Sequence, residues 1–474
     1  MAFFLQKEYL RSKLTAIEFG SLIEHSNIMN KLKIYLTKAF QNPGLIILLF
    51  LIPIYFISFS ILHTKKVEGP VEIYFADRVT AAHKILIDKY NRQNEGKVKV
   101  IPLDFPNFDF STNERKEVLA RSLRGRGDGI DLFAVDVIWV QRFAKWCEPF
   151  DKYFSQEEIS RIHPYVLESC YSDGALVAIP LDFVQGVLYY REDLVSKLPN
   201  SKKILNEINN NITWEEFIKI GQSIKSNNPF YTFPAADNEG LICIFVEQLL
   251  GIDKNYFKKY GFNFNTPEAE KALQLLVDLV NKYKLSPPEV VYYTEVPSYQ
   301  NFIKDNGIFL WGWPSYDKDF LDSPIDTSIE KKLKKTAVPH FKDAKPASTF
   351  GGWNLMISKF SNKKSEIVDF IKFLLREDSQ ELFYKESGYL PVLKKFYKED
   401  GFKKKYPEFE QFTKIIESGV HRPAHSEYTK YSKIMSFHFE RAIRNKISVK
   451  KALSDCTNAI QMEKLMLREF PKVK

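Results

Sequence analysis

Between residues 71 and 136 short apolar runs alternate with amphipathic ones, a rhythm that few folds accommodate. Val71 to Phe75 reads as a strand, and Thr80 to Asn91 as a helix with Ala82, Ile85, Leu86 and Tyr90 on one face. Val98 to Leu103 is a second strand and Glu114 to Leu123 a second helix. The third strand, Leu132 to Val135, is a continuous apolar run of the kind covered on both faces. This alternation predicts an α/β lobe with a mainly parallel sheet. In an open α/β sheet the ligand crevice lies outside the carboxyl ends of the strands. Asp77 and Arg78 follow the first strand, and Asp136 and Trp139 follow the third. A carboxylate accepts hydrogen bonds from hydroxyls and an indole offers a flat apolar face, which together suit a sugar. The plainer alternative makes Asp136 the cap of the next helix and Trp139 a core residue.

Ahead of this lobe stands Gly44 to Leu62, GLIILLFLIPIYFISFSIL, 19 residues without a charge. At about 1.5 Å per residue that spans a hydrocarbon core of roughly 30 Å. Residues 1–43 carry six Lys and Arg against three Glu, so this leader is expected to stay in the cytoplasm and everything after Lys66 to be exported. Ser58 and Ser60 have the spacing of a peptidase site, yet a 43-residue leader is long for a cleaved signal. A retained transmembrane anchor is the preferred reading of 44–62, with the binding domain on the extracytoplasmic side of the cell membrane. No cysteine lies near the end of the apolar run, which excludes a lipoprotein anchor.

The remaining 408 residues suffice for two or three domains. The net charge of +9 is modest and scattered, which argues against nucleic acid as a partner. The four cysteines lie far apart, and Pro423 separates His421 from His425, so no metal site or cofactor is expected. Thr213-Trp-Glu-Glu216 is a capping box, Thr266-Pro267 a capped helix start, and Ser361 and Ser448 start further helices. Two indoles, Trp311 and Trp313, fall at a strand end before Pro314, with Trp311 assigned to the core and Trp313 to the ligand. Trp353 follows a glycine pair, which permits close backbone approach.

Five segments occur in order: Asp131–Val140, Pro180–Leu194, Phe309–Pro314, Phe350–Ser358, and Arg422-Pro423 with Tyr428. Together they resemble the extracellular solute-binding proteins of bacterial ABC importers, in the carbohydrate-binding family. Asn238–Cys243 and Asp136–Trp139 resemble its trehalose/maltose-type members, and the resemblance covers 71 to about 460. It implies an α/β fold of two lobes that close on ligand as a clamp, with crossings near 176–182, 336–341 and 395–410. One lobe would hold 67–178 with 340–398, the other 180–335 with 405–474. Carried over by motif, the sugar-binding residues are Asp77, Arg78, Asp136, Trp139 and Trp353 from the first lobe, Phe230, Glu239 and Trp313 from the second, and Arg422 near the carboxyl end. Glu239 could equally cap the helix beginning near Leu241, and Arg422 pair only with a carboxylate. The resemblance implies a carbohydrate ligand, ABC permease subunits as partners, a monomer and no catalysis. Asn228 stands where relatives often carry an acid, so the sugar need not be maltose or trehalose.

Two other functions compete. A tethered clamp could serve as the sensing subunit of a signalling receptor, although a 43-residue leader is too short for an output domain. A glycan-processing enzyme would need paired carboxylates, for which Asp77 and Asp136 are the candidates. No Ser/His/Asp, P-loop or zinc constellation accompanies them.

Overall fold

The structure is a computed structural model that describes residues 69–105, 112–126, 129–224, 228–319, 329 and 331–469, with 31, 33, 37, 44 and 51–55 before them. Residues 1–69 and 70–474 form separate compact units. In the first unit Leu51 to Tyr55 are helical, but most of 44–62 and of the leader lies outside the described residues. Among the described residues no helix is long and apolar enough to cross a membrane.

From Pro70 the chain runs through β1 (Val71–Asp77), α1 (Ala81–Gln93), β2 (Val98–Asp104), α2 (Thr112–Arg124) and β3 (Leu132–Asp136) before reaching the short β4 (Ile179–Pro180). It then passes through β5 (Val184–Gln185) into β6 (Val187–Arg191) of a different sheet. That sheet is completed by β7 (Tyr231–Thr232), β8 (Phe309–Gly312) and β9 (Leu333–Thr336). The chain returns through β10 (Ser348–Gly351) to β11 (Trp353–Ile357), and the last strand is β12 (Gly419–Val420).

The first sheet has the order β2-β1-β3-β11-β4, and the second β9-β6-β8-β7. In the first, β1 lies parallel to β2 and β3, while β11 enters antiparallel to β3. Every residue of β3 but Asp136 is buried, as the apolar run predicted. Between the two sheets β12-β10-β5 form a three-stranded strip. Sheet membership changes along this strip: β5 leads out of the first sheet, and β10 leads back to it. The strip lies a few residues beyond the crossings expected near 176–182 and 336–341. The third expected crossing, 395–410, is occupied by short helices, and Phe409–Ile415 packs against β9.

Local signals placed several helices. Thr213 accepts from the Glu216 backbone while the Glu216 side chain answers, opening a helix at Trp214–Ser223. Thr266 caps Pro267–Asn281, and the Ser448 hydroxyl accepts from Lys451 N ahead of the final helix. The helix expected to start at Ser361 begins instead at Lys364, and the Ser361 hydroxyl ahead of it donates to Asp131 while accepting from the Lys363 backbone.

Candidate ligand-binding crevice

Asp136 ends β3 and does two things at once. Its Oδ1 accepts from the backbone of Ile138 at 3.1 Å, capping the following turn, and from Nη2 of Arg422 at 3.3 Å. Capping and crevice exposure, posed as alternatives by the sequence, coincide. Burial raises the Asp136 carboxyl above the usual range against the pull of Arg422.

Glu239 is the first residue of the helix Glu239–Ile252, which packs with the second sheet's helices. Its Oε1 accepts from Arg422 Nη1 at 2.9 Å and from the Tyr428 hydroxyl at 2.7 Å. Arg422, only 5% exposed, therefore joins a carboxylate that ends a first-sheet strand to one that opens a second-sheet helix. Its Nη2 also donates to the Phe350 carbonyl on β10 at 3.3 Å. A buried guanidinium is accommodated when carboxylates and carbonyls take its protons.

The strand register sets the first lobe's indole. Trp353 of β11 pairs directly with Asp136 of β3. One face of its half-buried ring is covered by the Arg115 guanidinium, 3.9 Å from the ring centroid. Trp139 meets it edge to face at 5.9 Å and is 1% exposed. Trp139 thus backs Trp353 from the core, as the plainer reading of that residue had it.

Trp313 follows β8, is half-buried, and stands edge to face on buried Trp311 at 5.0 Å. It lies so near Gly351 that a methyl there would come within 3.3 Å of its ring. Gly352, with φ +126°, separates that position from Trp353. A methyl at Gly352 would sit 2.5 Å from the Phe183 Cα, so only glycine fits this junction. The two indoles therefore flank one glycine pair, Trp313 from the second sheet and Trp353 from the first.

Asp77 lies deeper than expected, at 2% exposure, and its oxygens are taken by Arg115, by His83 at 3.1 Å and by the Arg78 backbone at 2.6 Å. Burial raises its carboxyl, but Arg115 and His83 outweigh that and hold it below the usual range. Arg78 reaches the Tyr389 hydroxyl at 3.3 Å. Phe230 is placed away from this group. Its ring packs on Phe217 at 4.8 Å and Phe309 at 5.0 Å, 6% exposed, beneath the Trp214–Ser223 helix. A ring read as a ligand face is here core packing, because Pro229-Phe230 lead into β7 with the ring turned under the sheet.

The sequence reading missed Arg115 and Lys116, which are buried although charged. The signal was present: on α2 they precede the buried Leu119, Ala120 and Leu123 by three to eight residues, on the same face. Burial lowers the Lys116 ammonium, and Glu117 lies 3.4 Å away. His421 and His425 bond elsewhere, to the Tyr165 carbonyl and the Glu427 backbone. Among the described residues no cluster of three or more His, Cys, Asp or Glu could hold a metal. The four cysteines are free and buried.

With this geometry in hand, likeness to known proteins gives the class. Residues 75–381 match the family of bacterial extracellular solute-binding proteins, and the chain belongs to that family. A probable ABC transporter-binding protein of Deinococcus radiodurans is 26% identical over 351 residues, 72% of this chain and 80% of that protein. Maltose-bound MalE3 of T. maritima superposes with a TM-score of 0.71 at 24% identity, covering 83% of this chain and 99% of that one. A solute-binding protein of Thermotoga lettingae bound with α-D-tagatose gives 0.69 at 20% identity, covering 83% and 99%. The fold is that of a two-lobed clamp, and the protein is a solute-binding protein rather than an enzyme.

Proposed function

We propose that this chain captures a sugar between its two lobes and delivers it to the permease of an ABC importer. The observation that carries the reading is the pair of indoles, one from each sheet, flanking Gly351 and Gly352 beside the Asp136–Arg422–Glu239 bridge. Aromatic faces take the apolar faces of a pyranose, and charged side chains take its hydroxyls. Maltose in one structural relative and tagatose in another support the class of ligand. Asp136, Glu239, Arg422, Trp313 and Trp353 are the proposed contacts, with Asp77 and Arg78 at the rim and Arg115 holding Trp353. Trp139 supports Trp353 from behind, and Phe230 is not among the proposed contacts.

Closure follows from differential affinity: a ligand that contacts both lobes binds the closed state better and shifts the equilibrium toward it. The lobes are proposed as 67–178 with 340–398 and 180–335 with 405–474, the β5, β10 and β12 strip serving as hinge. The uncharged run 44–62 and its basic leader support retention at the membrane with the clamp on the extracytoplasmic side, and the chain is proposed to act as a monomer.

The test is the melting temperature of the full chain against a panel of sugars, amino acids and metal ions. A ligand at a hundredfold excess over Kd should add ~2.7 kcal/mol. A shift with one glycan, lost in Trp313→Ala and Trp353→Ala, establishes the reading. A shift only with another solute class, or none with any sugar, overturns it.

A further inference from the structure

Glu247 lies mid-way along the helix Glu239–Ile252, 1% exposed, and plays no part in the crevice described above. Both of its oxygens are engaged. Oε1 accepts from the backbone N–H of Thr349 and from the Thr349 hydroxyl, each at 3.0 Å. Oε2 accepts from Nε1 of Trp311 at 2.9 Å. Thr349 belongs to β10, the central strand of the strip between the sheets, and Trp311 backs Trp313. Gly186, just beyond β5, comes so close that a methyl there would stand 2.2 Å from Oε1. The Gly186 backbone also donates to the Thr349 carbonyl at 3.1 Å and accepts from the Ser348 hydroxyl. One carboxyl thus ties a second-lobe helix to the strip's middle strand and to the indole that supports the ligand face.

We propose that Glu247 is a positioning residue of the hinge, whose protonation state sets how firmly β10 and the Trp311–Trp313 pair are held, so that lobe closure varies with pH. Ionised, the carboxylate takes all three donors. Protonated, it must itself donate, and among its three partners only the Thr349 hydroxyl can accept. That hydroxyl then turns round, and one tie between helix and hinge changes direction. The hydrogen-bond partners of Glu247 are all neutral. Titratable neighbours are Tyr231 on β7 and Cys243 one turn back on the same helix, while His340 and Lys345 line the narrow gap beside it. Burial pushes the Glu247 carboxyl up to about 8, which brings the change into the range an exported protein meets.

The inference rests on the clamp reading, and its test is independent of which solute binds. Spin labels on the exposed Lys99→Cys in the first lobe and Lys282→Cys in the second report the lobe separation of the full chain from about pH 6 to about pH 9.5. Indole emission, assigned by difference from Trp311→Phe, reports the bond to Glu247. Both are read without ligand and again with maltose as the probe. The expected result is that separation and emission titrate together with a midpoint near the Glu247 value of about 8. Glu247→Gln should flatten both curves. Thr349→Val keeps the backbone donor but removes the hydroxyl, and should raise the midpoint by about one pH unit. Flat wild-type curves, or a titration unchanged in both variants, overturn the proposal. Should Glu247→Gln not fold, the Thr349→Val midpoint decides alone. Failure of maltose to change the separation counts only against maltose as the sugar, and the ligand-free titration decides this proposal.

Discussion

At the scale of single residues, Arg422 is a buried charge that joins the first sheet to a helix of the second. Arg422 serves two carboxylates and a carbonyl, so its removal leaves Asp136 and Glu239 facing each other without a counter-charge. Breaking a buried ion pair from one side costs about 3–5 kcal/mol. Arg422→Ala should lower stability toward the small end of that range, since both carboxylates reach the crevice, and a denaturant midpoint unchanged from wild type would contradict this. Glu247 makes the opposite kind of contribution. Below its ordinary value of 4.5 the group is protonated in folded and unfolded chains alike. As pH rises from there to about 8, the unfolded chain ionises while the folded one keeps the proton, so stability falls across that window and levels off above it. At ~1.4 kcal/mol per unit the loss is on the order of a few kcal/mol. Glu247→Gln should remove that slope from a pH series of urea unfolding curves.

Among the elements, caps and turns are the most local features and were the most legible. The Thr213–Glu216 box was read from four residues and found as read. Thr213→Ala should cost about 1 kcal/mol in urea unfolding and leave ligand affinity unchanged, because the cap lies outside the crevice. The glycine pair before β11 was read as a place of close approach, and the structure shows what approaches: Phe183 on one side and the Trp313 ring on the other. Gly352→Ala must move the backbone between β10 and β11 or fail to fold, with a loss well above ~1 kcal/mol. Helix α2 was legible as a helix but not as a wall of the crevice. Its Arg115 and Lys116 were not singled out, and the structure supplies Arg115 with Asp77 and Trp353 from distant strands while Lys116 lies beside Glu117. Phe230 failed for the converse reason: an aromatic beside a proline suits a ligand face or a core equally, and the packing of Phe217 and Phe309 decides.

For the molecule as a whole, the clamp reading predicts a change of shape. Saturating ligand should reduce the radius of gyration of the clamp in small-angle scattering, and Trp353→Ala should abolish the reduction at the same concentration. If the lobes do not approach when ligand binds, the solute is held by one lobe and closure is not the mechanism. The segment 44–62 makes a separate prediction. Deleting it should move the chain from the membrane fraction to the soluble one, whereas an unchanged distribution would remove the anchor from the proposal.

Hydrophobic period, caps and turn residues depend on neighbours a few positions away, and they were enough to determine the first α/β lobe, several helix starts and the acid at the end of β3, while the second lobe was expected only from the resemblance. Which side chains meet across the crevice depends on contacts that the chain makes only once folded. Arg422 reaches Asp136 over 286 positions and Glu239 over 183. Trp353 reaches Asp136 through strand register, and Glu247 reaches Thr349 over 102 positions through the three-stranded strip. No periodicity encodes such pairs, because their partners are chosen by the packing of sheets and helices against one another rather than by the backbone between them.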